Sequence, residues 1–244
     1  MQQATCKTDR GRQRTINEDS LLCMKTEHFY VVADGVGGHN SGELASSMAI
    51  EFIEAYIKTN PIGSISGDFA LMTYFLNCLR EVNSLIFKRA FQVKENAGMA
   101  TTVAMLYIGS GKAYVVNVGD SRVYLARDGQ LLQVTEDHSY VNELLKKGTI
   151  TREEAENHPE RNMITRALGS EEKVEPDFYQ FQVYKGDRIL LCTDGLYNEV
   201  QEEEISEISK IAIDTQVMAQ ELIERANEYG GRDNISVICV EIEV

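Results

Sequence analysis

The stretch Val31-Val32-Ala33-Asp34-Gly35-Val36-Gly37-Gly38-His39 runs an apolar strand straight into an acidic residue and a glycine-rich turn. Phe29 and Tyr30 precede it, and this run of β-formers alternates too little for a strand with one wet face. Both faces are therefore expected to be buried. A buried strand that ends in a carboxylate delivers a charge to the rim of the core, where leaving it unpaired is costly. Some group must compensate Asp34. Gly35 has no Cβ, so its carbonyl can approach an ion closely, while Gly37 and Gly38 turn the chain through φ values that other residues avoid. Asp-Gly taken alone is also an ordinary turn dipeptide, so the reading as a metal site depends on the rest of the chain.

Upstream, residues 3–9 suit a short strand, and a polar loop from Gly11 to Asp19 leads into the apolar run Leu21-Leu22-Cys23-Met24. The strand at 28–33 follows after a few residues, which predicts an antiparallel hairpin. Downstream, Asn40 and Glu43 have capping-box spacing, and Ala45, Met48, Ala49, Phe52, Ile53, Tyr56 and Ile57 recur at helical intervals. Pro61 and Gly63 end this helix. A longer one runs to about Lys94, with Phe69, Met72, Leu76, Leu79, Val82, Leu85 and Ile86 as its apolar stripe. The period then becomes that of strands, at 101–108, 113–118, 122–126 and 131–134. Turns at Gly109-Ser110-Gly111 and Asp128-Gly129 predict an antiparallel meander. Residues 137–170 are polar, helical or irregular, and are expected to form a surface flap. Strands at 178–184, 188–192 and 235–242 and helices at 202–209 and 214–229 complete the chain.

At 244 residues with 43% hydrophobic content, the chain can bury a large core, and with three prolines, no repeat and no low-complexity tract it reads as one domain. Its 38 acidic and 24 basic residues, a formal charge of −14, argue against nucleic acid or an anionic membrane as partner. Five scattered cysteines with no C-x-x-C pair suggest reduced core thiols. The polar start and the lack of an 18-residue apolar span predict a soluble, cytoplasmic protein.

Asp34, Asp120, Asp194 and Asp233 each stand at the edge of an apolar strand, and Glu18 and Asp19 open another. Were these strands neighbours in two sheets, five or six carboxylates would converge, and their repulsion would demand cations. Oxygen-only ligands suit Mg²⁺ or Mn²⁺ and not structural zinc. Any one of these aspartates could be a solvated turn residue, as Asp128 is. The repetition is what favours a metal centre. Two hard cations about 3.5–4 Å apart generate a nucleophile at neutral pH and clamp phosphoryl oxygens. Arg14, near Glu18 and Asp19, could hold phosphate bidentately or simply pair with those acids. There is no Walker loop, and Gly35-Val36-Gly37 has Asn40 where a dinucleotide fingerprint needs its third glycine.

Gly11-x-x-Arg14-x-x-Asn17-Glu18-Asp19, Ala33-Asp34-Gly35-Val36-Gly37-Gly38-His39, Thr101-Thr102, Val118-Gly119-Asp120-Ser121-Arg122, Asp137-His138-Ser139, Thr165-Arg166-Ala167-Leu168-Gly169, Thr193-Asp194-Gly195-Leu196 and Arg232-Asp233-Asn234 occur in that order. Together they resemble the metal-dependent type 2C serine/threonine protein phosphatases, in their bacterial branch. The resemblance implies an α+β, four-layer αββα sandwich, two antiparallel sheets flanked by helices, over residues 1–244, with a flap at about 139–170. It implies hydrolysis of phosphoserine and phosphothreonine on proteins by a hydroxide bridging two Mn²⁺ or Mg²⁺ ions, in opposition to a serine/threonine kinase, by a monomer. Asp34 would bridge the metals; Gly35, Asp194 and Asp233 would complete the ligands; Glu18 and Asp19 would act through metal-bound waters; Asp120, with Asp194, would form a weaker third site. Arg14 would bind the phosphate, and His39 and Arg166 would contact substrate. Two positions depart from the family. Val36 replaces a histidine proposed as general acid in eukaryotic members, which leaves metal-bound water or His39 for that role. Asn198 replaces an acid of the third site. The opposing readings are an inactive relative serving as a binding module, and a phosphatase for small metabolites.

Overall fold

A computed structural model of the chain describes residues 2–37 and 41–243. In chain order its strands are β1 (Gln2–Asp9), β2 (Asp19–Met24), β3 (Phe29–Val36), β4 (Ala100–Thr101), β5 (Val103–Gly109), β6 (Lys112–Val118), β7 (Arg122–Arg127), β8 (Gln130–Gln133), β9 (Asp177–Gln182), β10 (Arg188–Cys192) and β11 (Ile235–Ile242). The α-helices are α1 (Ser41–Thr59), α2 (Asp68–Gln92), α3 (Tyr140–Lys146), α4 (Arg152–Glu156), α5 (Asp194–Tyr197), α6 (Glu202–Ile211) and α7 (Thr215–Glu228).

The strands form two antiparallel sheets, one ordered β1-β11-β10-β7-β8 and the other β2-β3-β5-β6-β9, with β4 paired to β3 beyond β5. The predicted hairpin is β2–β3, in which Asp19 lies opposite Asp34. β3 explains the layering. Tyr30 and Val32 point between the sheets, against Leu106, Val123, Leu191 and Ile238, while Phe29, Val31 and Ala33 point outward to Ala45, Ala49 and Ile53 of α1 and to Phe75 and Leu79 of α2. A strand buried on both faces has no polar side to alternate, as the sequence pattern required. On the other sheet α6 and α7 cover Leu190, Val237 and Cys239 with Ile205, Ile208, Met218 and Leu222. The result is helix, sheet, sheet, helix.

Two expectations are corrected. The strands of residues 101–134 are not one meander: β5 pairs with β6 and β7 with β8, but β6 and β7 lie in different sheets. The chain changes sheets at Gly119-Asp120-Ser121. Gly119 has φ 107°, and a Cβ there would stand 2.5 Å from Thr102 Cγ2, so the crossing requires glycine. Nor are all five cysteines reduced. β1 and β2 run side by side in different sheets, which brings Cys6 and Cys23 to a Cα–Cα distance of 6.6 Å, and their sulfurs form a disulfide. Cys78, Cys192 and Cys239 are free and buried, as expected of core thiols.

Residues 139–170 carry α3, capped by Ser139, and α4, closed by a capping box between Thr151 and Glu154. The segment is rooted at both ends. At one, His138 N–H donates to Gly119 O and Thr165 N–H to His138 O. At the other, Leu168 exchanges backbone hydrogen bonds with Thr101, and the buried Asn83 of α2 accepts from Gly169 N–H while donating to the carbonyls of Glu171 and Glu172.

Candidate active site

The sheet change and the β2–β3 hairpin bring the strand-end acids to one end of the sandwich. Asp34 leaves β3 anchored through its backbone: its N–H donates to Thr102 Oγ1 at 3.0 Å, and its carbonyl accepts from Thr102 N–H at 2.9 Å and Thr101 Oγ1 at 2.8 Å. Thr102 Oγ1 in turn meets Ser121 Oγ at 2.7 Å, which ties Asp34 to the crossing that carries Asp120. Asp19 is buried, and its Oδ2 accepts from Thr193 Oγ1 at 2.8 Å and Ser236 Oγ at 2.7 Å. Asp194 opens α5, and its Oδ2 accepts from Asn198 Nδ2 at 3.0 Å. Asp120 is buried, and its carbonyl accepts from Tyr197 Oη at 3.0 Å.

Asn234 staples the polar loop of residues 10–18 to this end of the molecule. It accepts from Glu18 N–H at 2.8 Å and donates to the carbonyls of Arg10 and Ile16. Arg14 on that loop donates to Asp233 Oδ2 at 2.8 Å and stands 3.4 Å from Glu18 Oε2. Gly35 meets Gly42 so closely that a Cβ on it would lie 2.0 Å from Gly42 O, and its N–H donates to Glu18 O at 3.1 Å. Gly195 similarly presses α5 against the Asp233–Asn234 backbone, since a Cβ there would lie 2.0 Å from Asn234 O.

The electrostatics follow from burial and crowding. Burial, helped by repulsion from Asp194 and Asp233, pushes Asp19 up to about 7 despite its two hydroxyl donors. Burial and then Asp194 push Asp120 up to about 8. Burial and then Asp233 push Asp194 up to about 6. Asp34 is raised well above the carboxylate range by burial and by Asp19, Asp194, Asp120 and Asp233 in turn. Burial likewise raises Glu18. Burial would lower Arg14, but the Asp233 carboxylate and its hydrogen bond outweigh that and hold the guanidinium more firmly charged.

The residues fit hard cations. The donor set is oxygen only, and one oxygen each of Asp19 and Asp194 is buried with no hydrogen-bond partner, an expensive arrangement unless a cation supplies the missing interaction. Among the described residues no three of these side chains already stand in ligand geometry; Asp233 is engaged by Arg14. Of the residues singled out from sequence, Asp34, Gly35, Asp120, Asp194, Asp233, Glu18, Asp19 and Arg14 gather at this end. Arg166 does not join them: its Nη1 is taken by Asp177 Oδ1 at 2.9 Å and Glu175 O at 3.1 Å. His39 lies outside the described residues. Sequence reasoning gave no role to Thr102, Thr193, Ser236, Tyr197 or Asn234, which hold the acids in place. Their polar side chains at strand and helix ends were the available signal.

The pattern of the protein phosphatase 2C family matches residues 8–236. The serine/threonine phosphatase stp of Listeria monocytogenes is 40% identical over 242 residues, covering 98% of this chain and 95% of that protein. The protein phosphatase PhpP of Streptococcus pneumoniae is 36% identical over 238 residues, covering 96% and 95%. A crystal structure of the catalytic domain of the serine/threonine protein phosphatase PstP in complex with two manganese ions has a TM-score of 0.88 and 34% identity, covering 100% of this chain and 99% of that one. With its acids, glycines and arginine at one end of an αββα sandwich, the chain belongs to the protein phosphatase 2C family.

Proposed function

We propose that the carboxylate end of the sandwich is a two-metal phosphatase centre in which Asp34 bridges the ions, the Gly35 carbonyl, Asp194 and Asp233 complete the ligands, and Glu18 and Asp19 act through bound waters. Asp120 with Asp194 forms a weaker third site. The enzyme is a metal-dependent serine/threonine protein phosphatase, and the ions we assign are Mn²⁺ or Mg²⁺. The observation that carries this reading is the set of buried, mutually repelling aspartates with Arg14 at its edge. When bound, such ions lower the pKa of water and offset charge on the phosphoryl oxygens.

The chain's own residues do the rest. Arg14 sits where its planar fork can take two phosphate oxygens, exchanging its contact with Asp233 for the substrate. Thr102, Thr193 and Ser236 hold Asp34 and Asp19 without neutralising them. The segment 139–170 serves as the flap of a single catalytic domain and, with His39 and Arg166, contacts the protein substrate. We further read the protein as a cytoplasmic monomer opposing a serine/threonine kinase; among the described residues no helix is long and apolar enough to cross a membrane.

Hydrolysis of a phosphothreonine peptide, measured with EDTA and then with Mn²⁺ or Mg²⁺ restored, tests this directly. Turnover should vanish with chelator, return with metal and exceed that of a sugar phosphate. Turnover that survives exhaustive chelation, or a folded protein silent with every metal, would refute it.

A further inference from the structure

Glu199 is a buried acid outside the carboxylate cluster, its side chain only 2% exposed. Both its oxygens face one residue. Oε1 accepts from the backbone N–H of Arg232 at 3.1 Å and from its Nε at 2.8 Å, and Oε2 accepts from Nη2 at 3.0 Å. Arg232 directly precedes Asp233, whose carboxylate already meets Arg14 at 2.8 Å. Arg232 is thus the chain neighbour of one proposed ligand. An arginine fork matches a carboxylate in shape as well as charge, so an unheld Arg232, on a side chain that is 55% exposed, would compete with a divalent cation for the oxygens of Asp233. The buried carboxylate of Glu199 takes up that fork instead.

The turn that carries Glu199 does similar work at neighbouring positions. Tyr197 Oη donates to the carbonyl of Asp120 at 3.0 Å, and Asn198 Nδ2 donates to Asp194 Oδ2 at 3.0 Å. Three consecutive residues thus act on three different acids, Glu199 through Arg232.

We propose that Glu199 is a positioning residue: by holding the Arg232 guanidinium, it keeps the Asp233 carboxylate available to a divalent cation. The inference rests on Asp233 being a metal ligand. The test is Mn²⁺ binding to the metal-stripped protein, followed by the electron paramagnetic resonance of free Mn²⁺, together with phosphopeptide turnover as a function of Mn²⁺. Glu199→Gln keeps an acceptor for the Arg232 N–H but gives up the charge. It should weaken Mn²⁺ binding about tenfold, the lower end of what loss of an outer partner costs, while turnover at saturating Mn²⁺ stays within about twofold of the parent. Glu199→Asp, which shortens the reach but retains the charge and guards against a folding failure of the first variant, should also weaken binding. Adding Arg232→Met to Glu199→Gln removes the competing cation and should restore binding to within about twofold, a recovery expected only of coupled residues. Parent-like binding by Glu199→Gln, or a double variant no better than the single, would overturn the proposal, the second outcome leaving Glu199 a plain structural brace. Asp233→Asn separates the two readings. If it binds Mn²⁺ like the parent, the ligand assignment fails and takes this inference with it. If it loses Mn²⁺ while Glu199→Gln does not, this inference alone fails.

Discussion

Thr102→Val removes one hydroxyl from the centre of the site and little else. Thr102 is buried, and valine reproduces its shape and keeps its backbone N–H on Asp34 O. Two partners lose their acceptor or donor: the Asp34 N–H, 3.0 Å from Thr102 Oγ1, and the hydroxyl of the fully buried Ser121, 2.7 Å from it. Each buried group left unpaired costs about 1–3 kcal/mol, so the pair should cost roughly 2–6 kcal/mol. For a chain of this size that is a fall in melting temperature on the order of 5–20 °C. Thermal and urea unfolding of the metal-stripped protein, followed by far-ultraviolet circular dichroism, measures this without a contribution from bound ions. Thr102→Ser is the control, because it keeps the hydroxyl and loses a methyl worth about 1 kcal/mol. Phosphopeptide turnover should fall with Thr102→Val, since Asp34 loses its main lateral anchor. A Thr102→Val protein within about 1 kcal/mol of the parent, or a serine variant as damaged as the valine one, would show that the hydroxyl is not what holds Asp34.

Four further outcomes are expected. Asp34→Asn should abolish turnover with the fold retained by circular dichroism, and near-normal activity would remove Asp34 from the metal assignment; Arg14→Ala should chiefly raise KM for the phosphopeptide, by about 10- to 100-fold for one charged contact. Asp194, Asp19 and Asp120, raised to about 6, 7 and 8, bind protons more tightly folded than unfolded, where carboxylates titrate near about 4. Stability of the metal-stripped protein is therefore full below about pH 4 with respect to these groups and is lost as pH rises through about 6 to 8; melting series in EDTA should show this fall and Mn²⁺ should counter it, whereas a rising series would refute the crowding. The denatured, unreduced protein should titrate as three thiols and the reduced protein as five, with reduction costing about 3 kcal/mol for a 17-residue separation; five thiols before reduction would rule out the Cys6–Cys23 bond.

What the sequence made legible was whatever is written in periodicity. The unalternating run at Phe29 to Ala33 has a helix layer on one side and a sheet on the other, and the helical stripe of α1 faces that sheet; in α2 the buried face runs through Leu71, Phe75, Leu79, Val82 and Ile86, and Phe69, Met72 and Leu85 of the expected stripe are exposed. What it hid was partnership between distant segments. Nothing in 101–134 says that the chain leaves one sheet for the other at Gly119, because strand signals describe a strand's faces and not its neighbours. The same holds for Cys6 and Cys23, which share no motif and meet only because β1 and β2 run side by side. The acids could be picked out because strand followed by aspartate recurs. Their supports could not, since a threonine or asparagine at a strand end has many uses. Arg166 shows the limit for charges: its sequence surroundings name no partner, and the fold gives it Asp177.

The character of those supports bears on function. A fold that needed only to tolerate buried aspartates would pair them with lysine or arginine, since a paired charge is the less costly one to bury. Here the side-chain groups that hold Asp34, Asp19, Asp194 and Asp120 are neutral: Thr101, Thr102, Thr193, Ser236, Asn198 and Tyr197. Neutral donors orient a carboxylate or its backbone while leaving its charge uncompensated. In Asp19 and Asp194 they satisfy one oxygen and leave the other without a partner. Arg14 meets Asp233 at the edge of the group, where Asp233 is a third exposed, and Arg122, whose charge also reaches Asp120 and Asp194, is itself taken up by Asp137. Such an arrangement destabilises the empty protein, which favours binding of any cation that relieves it. In the proposed two-metal centre, the same deficit of positive charge that makes the cluster costly to fold would select metal ions and, through them, a phosphoryl group.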